Sequence, residues 1–441
     1  MNLRGNLVGS GVWSIGIRVV GTGLAFLLTV LLARVMGPES YGVYSFVLSL
    51  LILLSIPLQA GLPSLAVREV AKAEIAEDWP VIKGMWFWIV RTILLYSAIL
   101  AGVLMILDVA GISWLSHERY EVFIIGIFAI PFTGLLISQG AIIRGLGRLV
   151  VGIIPDGIVR PVLPLLIIGL TMAFAWRDNI TPQYAMIAYV ASLVFATLLS
   201  GFIIVALMPS TKRELKDCRF DIYNWRRAAY PLTIVGGLQL MYSYSDIIIL
   251  GLFHGDVEVG IYRAVGQLGT LVIFGLSTIN QLLHTQFSKL YFTGDVAKLQ
   301  KIVTYSSLGI LSLALIPSIA LVLGGEVVLK LAFGEGYERG ALALLILTLG
   351  QLANAAFGSV GALLNMTGHE RDAMKGMLYS LGINFILAFI LIPPFGIEGA
   401  ALATAISLFL WNGILRYYVR KRLNIESSGL LLVIKGKSIK Q

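Results

Sequence analysis

Six arginines and two aspartates interrupt otherwise apolar stretches of this 441-residue chain: Arg18, Arg34, Arg91, Arg160, Arg263 and Arg416, with Asp156 and Asp246. Every basic position within these stretches is arginine rather than lysine. A guanidinium stays charged when desolvated and grips phosphate through two parallel hydrogen bonds, so the pattern points to an anionic, phosphorylated ligand. Arg34 and Arg416 sit near the ends of their apolar stretches, where the head group can snorkel to water. The other four lie deeper. An arginine facing lipid at mid-membrane costs roughly 2.5–3.5 kcal/mol on insertion scales. Four would approach the whole stability of a folded protein. Arg18, Arg91, Arg160 and Arg263 are therefore expected to face a polar cavity.

The neighbours at helical spacing support this for two of them. Around Arg18 lie Gly11, Ser14, Gly21, Thr22 and Ala25, a small and polar stripe through an apolar helix. Arg263 is followed by Gln267, Thr270, Ser277, Gln281 and Thr285 at the same kind of spacing. Gln239 and Ser243 lead to Asp246, and Gln351 and Asn354 form a further stripe with Gly358. Such residues also serve helix–helix packing. Four stripes, two of them carrying an arginine, favour a lumen whose amides and hydroxyls could bond sugars. Asp156 and Arg160 are four apart and can pair on one helix face, either as part of the cavity or as a brace. Arg91 has the apolar neighbours Phe87, Trp88, Leu94 and Leu95. Asp246 is a candidate for H⁺ or Na⁺ coupling, or else holds an arginine in place; Asp156 is a second coupling candidate.

Other chemistries are poorly served. The single Cys218 and four scattered histidines, with no HExxH or CxxC, exclude disulfide scaffolds and the common metal motifs. No cofactor is expected. The chain is 58% hydrophobic and 13% charged with mean hydropathy +0.88, about half the charge of a soluble domain. A net charge of +9 could signal nucleic acid, but a chain this apolar has no room for a water-facing basic patch. The charge is instead a question of membrane topology.

The elements that must position these residues are membrane helices. Twelve stretches reach the ~20 apolar residues a bilayer requires: 11–35, 42–62, 84–107, 122–143, 150–174, 183–208, 228–252, 260–286, 303–323, 341–364, 376–394 and 398–419. The first is read as a retained span and not a signal peptide, because it contains Arg18 and no small-residue cleavage site follows. With both termini cytoplasmic, inside stretches carry 23 Lys/Arg and outside loops only Arg119, Arg177, Lys330 and Arg339. The positive-inside rule selects that orientation. Of the +9, inside stretches contribute +12, outside loops −7 when Glu398 at the edge of the last span is counted with them, and the remainder of the spans +4. The basic stretch 209–227 divides the chain into a six-helix bundle at 1–208 and another at 228–422, with a cytoplasmic tail at 423–441.

The halves repeat. GPESYGVY after the first span matches GDVEVGIY after the seventh, so Gly37, Gly42 and Tyr44 map onto Gly255, Gly260 and Tyr262. GAIIRGLGR matches GALLNMTGH, and Ala185, Ala188 and Ser192 map onto Ala400, Ala403 and Ser407. An even number of spans per half makes the repeat parallel, a known secondary-transporter plan.

LLARVMGPESYGVYSFVLSLL with GLPSLAVREVAK, and later LLNMTGHERDAMKGM, resemble Wzx-type oligosaccharide flippases of the polysaccharide transporter family. That family belongs to the multidrug/oligosaccharidyl-lipid/polysaccharide exporter (MOP) superfamily. The resemblance spans essentially the whole chain. It implies an all-α integral membrane fold of two six-helix bundles in a MATE-like V around a central cavity. It also implies a flippase of the inner, cytoplasmic membrane that moves an undecaprenyl-diphosphate-linked oligosaccharide to the outer leaflet by alternating access. The polymer could be O-antigen, capsule, exopolysaccharide or a teichoic type. Implied partners are the lipid-linked oligosaccharide, membrane lipids and other polysaccharide-assembly membrane proteins, with no nucleic acid. Related flippases admit the lipid tail between the first and eighth spans, which carry Arg18 and Arg263.

Three rivals are less well supported. A multidrug or organic-cation exporter of the same superfamily would need an acidic, aromatic cavity, against six intramembrane arginines here. A major-facilitator transporter should carry a DRxGRR-like loop after the second span, where GLPSLAVREVAKAEIAEDW stands. A membrane polymerase or ligase needs a large outside loop with acid/base residues. His117 and Glu118 are the sole adjacent His–Glu pair in the outside loops. The expected protein is a transporter, not an enzyme.

Overall fold

The computed structural model describes residues 3–111, 115–174, 180–209 and 218–428, with side chains from Trp13 and then Gly16 onward. Those residues form helices and connecting turns, with no strand among them. Among the described residues, nine helices are long and apolar enough to cross a bilayer, or ten when a bent pair is counted as one span.

In chain order the elements are α1 (Leu3–Leu54), α2 (Ile56–Gln59), α3 (Leu62–Ile75), α4 (Trp79–Val109), α5 (His117–Gly126), α6 (Ala129–Gly145) and α7 (Leu149–Ile154). A π-helical turn, Pro155–Val159, leads into α8 (Arg160–Ala173), followed by α9 (Pro182–Leu207) and α10 (Ile222–Phe253). Then come α11 (Asp256–Phe292), α12 (Val296–Phe333), α13 (Ala341–Phe357), α14 (Val360–Met366) and α15 (Glu370–Leu423). Helices α5 and α6 are the bent pair, at 41°.

Helices α1 and α15 run for 52 and 54 residues, more than twice what a bilayer needs. Each is two helices joined at a glycine. Gly37 has φ 75° and Gly396 has φ 54°, conformations that cost a residue bearing a Cβ. Resolving each kinked helix into two spans reconciles the observed helices with the twelve expected.

The chain forms two compact units. Unit 1 comprises Met1–Met36 and Val43–Tyr244, and unit 2 comprises Gly37–Gly42 and Ser245–Gln441. In unit 1, Ala129 and Leu136 of α6 pack against Leu193 and Ala196 of α9. Small residues let backbones approach elsewhere: a Cβ on Gly145 would lie 2.8 Å from Val70 on α3. Helix α4 turns Phe87, Leu94, Leu95, Ile99, Met105 and Ile106 outward, the apolar face that a hydrocarbon solvent favours. The stretch 209–227 is read from sequence as a linker, but α10 already begins within it. Arg219 N–H donates to Pro80 O at 3.0 Å, and its guanidinium meets Asp78 at 2.9 Å. The Phe220 ring meets Phe87 edge-on, and the Trp225 ring meets Trp88 at a tilt. This docking draws the helix start toward α4; residues 210–217 lie outside the described residues.

In unit 2, Phe287, Leu299, Val303, Leu363, Leu415 and Val419 form a shared core of α11, α12, α14 and α15. The segment after α15 is pinned. Arg416 grips Glu426 through two bonds of 2.9 Å, and the Gln300 amide makes a reciprocal pair with the Glu426 backbone at 2.9 and 2.8 Å. Arg416 is thus an ion-pair partner at a helix end.

Candidate functional site

In unit 1, prolines shape the candidate site. Pro155, Pro161 and Pro164 have no N–H to donate, so the helix cannot keep a regular α ladder through this region. The chain widens instead: Arg160 N–H donates to Pro155 O, an i→i+5 bond. Such π-helical turns gather at functional positions. This turn carries Asp156 and Arg160, whose side chains meet at 2.8 Å. Pro161 also deprives Gly157 O of its usual i+4 donor. Helix α1 packs tightly there, since a Cβ on Gly21 would collide with Gly157 O.

That close approach brings Arg18 to the same place. A cavity of about 430 Å³ is lined by Arg18, Thr22, Arg144, Asp156, Gly157 and Arg160, with apolar walls from Ala25, Ile137, Ile153 and Pro161. Arg144 stands in the last turn of α6 and donates to Gly152 O at 3.3 Å. It is within electrostatic reach of both Asp156 and Arg18. Three guanidiniums against one carboxylate leave the cavity with a net charge of +2. Concentrated positive charge around a hydrogen-bonding cavity suits a phosphoryl group.

Sequence reasoning selects Arg18, Arg160 and Asp156, and the structure brings all three together. It misses Arg144, which counts as a loop residue by hydropathy. The signal was the glycine spacing around it: Gly140 and Gly152 pack backbone to backbone, so α7 folds back on α6 and turns Arg144 inward. Arg91 is elsewhere. It is exposed on α4 beside Phe87, Leu94 and Leu95, each about half exposed, and does not line the cavity. Gln239 is exposed on the part of α10 that belongs to unit 1.

Unit 2 holds a different constellation. Asp246 is 6% exposed. Its carboxylate accepts from Thr404, whose hydroxyl is shared with Ala400 O, and from Tyr262 at 3.4 Å. Asn384 is fully buried and faces the same carboxylate without reaching hydrogen-bond geometry. One Asp246 oxygen is buried with no hydrogen-bond partner, a costly arrangement for a charged group. Arg263 and Gln267 are half-buried on α11, while Thr270, Ser277, Gln281 and Thr285 along the same stripe are exposed. Gln351 accepts from Asn354 at 3.3 Å, and Asn354 from Asn412 at 2.9 Å. The sequence reading picks Asp246, Arg263, Gln267, Gln351 and Asn354 but not Thr404, Asn384 or Asn412, which look like packing residues on apolar helices.

A larger pocket of about 520 Å³ lies between α4 and α5, lined by Leu104, Met105, Phe123 and Ile124 with Asp108 and Tyr120. Asp108 is already bonded to Tyr120 at 2.6 Å, and the lining has His117 but no lysine or arginine. Among the described residues no cluster of three or more His, Cys, Asp or Glu could hold a metal ion.

Comparison with known proteins places this geometry in a family. Residues 7–290 match the family described as polysaccharide biosynthesis protein. A putative O-antigen transporter of Escherichia coli (strain K12) is 24% identical over 395 residues, covering 88% of this chain and 91% of that one. The fold matches an inward-facing multidrug resistance MATE family transporter of the MOP superfamily, with TM-score 0.75 at 14% identity over 97% and 99% of the two chains. It also matches the lipid II flippase MurJ in an inward closed conformation, with TM-score 0.71 at 13% identity over 97% and 93%. The two structural likenesses carry the all-α membrane transporter fold, and the family match, covering well over half of the chain, carries the lineage. The chain belongs to the polysaccharide biosynthesis protein family.

Proposed function

We propose that this protein carries an oligosaccharide linked to undecaprenyl diphosphate from the cytoplasmic to the outer leaflet of the inner membrane, for assembly of a cell-surface polysaccharide. The observation that carries the reading is the unit 1 cavity, where Arg18, Arg144 and Arg160 converge around one carboxylate in a chain of the polysaccharide family. A diphosphate esterified at both ends has two negative charges, which the net +2 of the cavity balances. Gln239 in unit 1 and, separately, Arg263, Gln267, Gln351 and Asn354 in unit 2 are further proposed ligand contacts, each within its own unit. The lipid tail stays in the bilayer, both termini lie on the cytoplasmic side, and transport proceeds by alternating access without covalent chemistry.

Coupling is assigned to Asp246. A buried carboxylate with an unused oxygen, beside the Thr404 hydroxyl and the Asn384 amide, has the donor chemistry for a proton or Na⁺. The test is genetic. In cells lacking their own flippase, Arg18→Ala or Arg263→Ala should abolish surface polysaccharide at normal membrane protein level. Full function in both variants would overturn the assignment.

A further inference from the structure

The Asp156–Arg160 pair is the remaining puzzle of the unit 1 cavity. A brace between residues four apart needs no other charge nearby. Here the pair faces a cavity with two further guanidiniums, and both of its side chains are about one-third exposed. It is also built on a π turn, a backbone form that is uncommon and less regular than the α-helix around it. Asp156 is the one anion among the lining residues, standing where an incoming anion would have to bind.

We propose that Asp156 is a built-in counter-ion that occupies the anion seat of this cavity and is exchanged for a phosphoryl group of the ligand, with Arg144 as a further guanidinium that grips that group. The ligand class rests on the flippase reading given above. With the cavity empty, three clustered guanidiniums would repel one another; Asp156 neutralises part of that charge. When a phosphoryl group enters, Arg160 trades the carboxylate for the phosphate oxygens, which can accept two parallel bonds from a guanidinium. The exchange keeps the site from binding its ligand too tightly to release, because the leaving anion is replaced by one already tethered beside it. Arg144 is suited to its part by position. Its one hydrogen bond, to the uncharged acceptor Gly152 O at 3.3 Å, is long, so most of its donors stay available.

The prediction separates a competing anion from a structural brace. In the purified full-length protein, titration with inorganic pyrophosphate should show at least fivefold tighter binding for Asp156→Asn and at least fivefold weaker binding for Arg144→Gln. A brace would give the opposite sign for Asp156→Asn, because a loosened Arg160 binds less well. Unchanged or weakened pyrophosphate binding in a folded Asp156→Asn protein overturns the proposal, as does unchanged binding in Arg144→Gln. Hydrogen exchange on the unmodified protein gives a second readout. Pyrophosphate should speed exchange in the turn Pro155–Val159 as the ion pair opens, and slowed or unchanged exchange there overturns the proposal. Pyrophosphate carries neither lipid nor sugar. Loss of polysaccharide transport with intact pyrophosphate exchange would fault the substrate reading alone, and the converse would fault this one.

Discussion

Gly42 and Gly260 pack backbone against backbone within unit 2, and each is closed to a side chain by the other's segment. A Cβ on Gly42 would collide with Asp256 O and come within 3.0 Å of Gly260 N. A Cβ on Gly260 would collide with Pro38 O and come within 3.1 Å of Gly42 N. These glycines occupy equivalent places in GPESYGVY and GDVEVGIY. The internal repeat therefore marks two segments that touch each other, and the contact is reciprocal.

Alanine at either position should be poorly tolerated, because the obstacle is backbone and not the end of a flexible side chain. Overpacking of this kind costs about 1–3 kcal/mol. Gly42→Ala and Gly260→Ala should each lower the melting temperature of the purified protein. The double variant should cost less than the sum of the two, since the first substitution already separates the segments. Full additivity would show that the two glycines are packed independently.

Asp246 and Thr404 make the next prediction. If Asp246 couples transport to an ion gradient, Asp246→Asn should leave a protein that inserts and folds but no longer responds to an imposed H⁺ or Na⁺ gradient in liposomes. Thr404→Val removes a donor from a buried carboxylate and should cost about 1–3 kcal/mol of stability. An Asp246→Asn protein that still responds fully to both gradients would remove Asp246 from coupling.

How much of this was readable beforehand depends on what each residue type reports. Span number was legible because ~20 apolar residues are a requirement of the bilayer, and Gly37 and Gly396 were legible as breaks through the turn-rich stretches around them. Arg18, Arg160 and Asp156 announced themselves by cost, since charge inside a membrane needs a reason. Arg144 did not, because it sits where hydropathy ends a span, and only the fold-back of α7 on α6 turns it inward. The repeat shows the same limit. Tyr44 and Tyr262 are equivalent by sequence, yet Tyr44 is within electrostatic reach of Arg160 in unit 1 while Tyr262 donates to Asp246 in unit 2. A repeat fixes position; the charge that each copy faces comes from helices distant in sequence.

Arg91 provides a negative test. It is the one deep arginine whose neighbours are exposed apolar side chains, and it does not line the cavity. Arg91→Leu should therefore support normal surface polysaccharide at normal protein level, measured in the same cells that report on Arg18→Ala. Loss of transport with unchanged protein level would return Arg91 to the path of the ligand.

Glu426 lies beyond α15, outside the spans, and offers a pH-dependent test of how the end of unit 2 is held. Burial alone would raise its pKa. The hydrogen bonds from Arg416 and from Ser428 N–H, with the charges of Arg416 and Arg420, outweigh that and hold the carboxyl below its usual value. A carboxylate whose pKa is depressed on folding stabilises the folded state above its unfolded pKa, about 4.3 for glutamate. That stabilisation fades as pH falls through the folded value. Glu426→Gln should thus lower stability near pH 7 by about 1–3 kcal/mol, the range for hydrogen bonds to a charged group. The gap between variant and parent should narrow on acidification below about pH 4, because protonation does to the parent what the substitution does permanently. Thermal unfolding followed from pH 7 to pH 3.5 checks this. A gap that stays constant across the range would mean that the Arg416–Glu426 pair contributes through shape and not through charge.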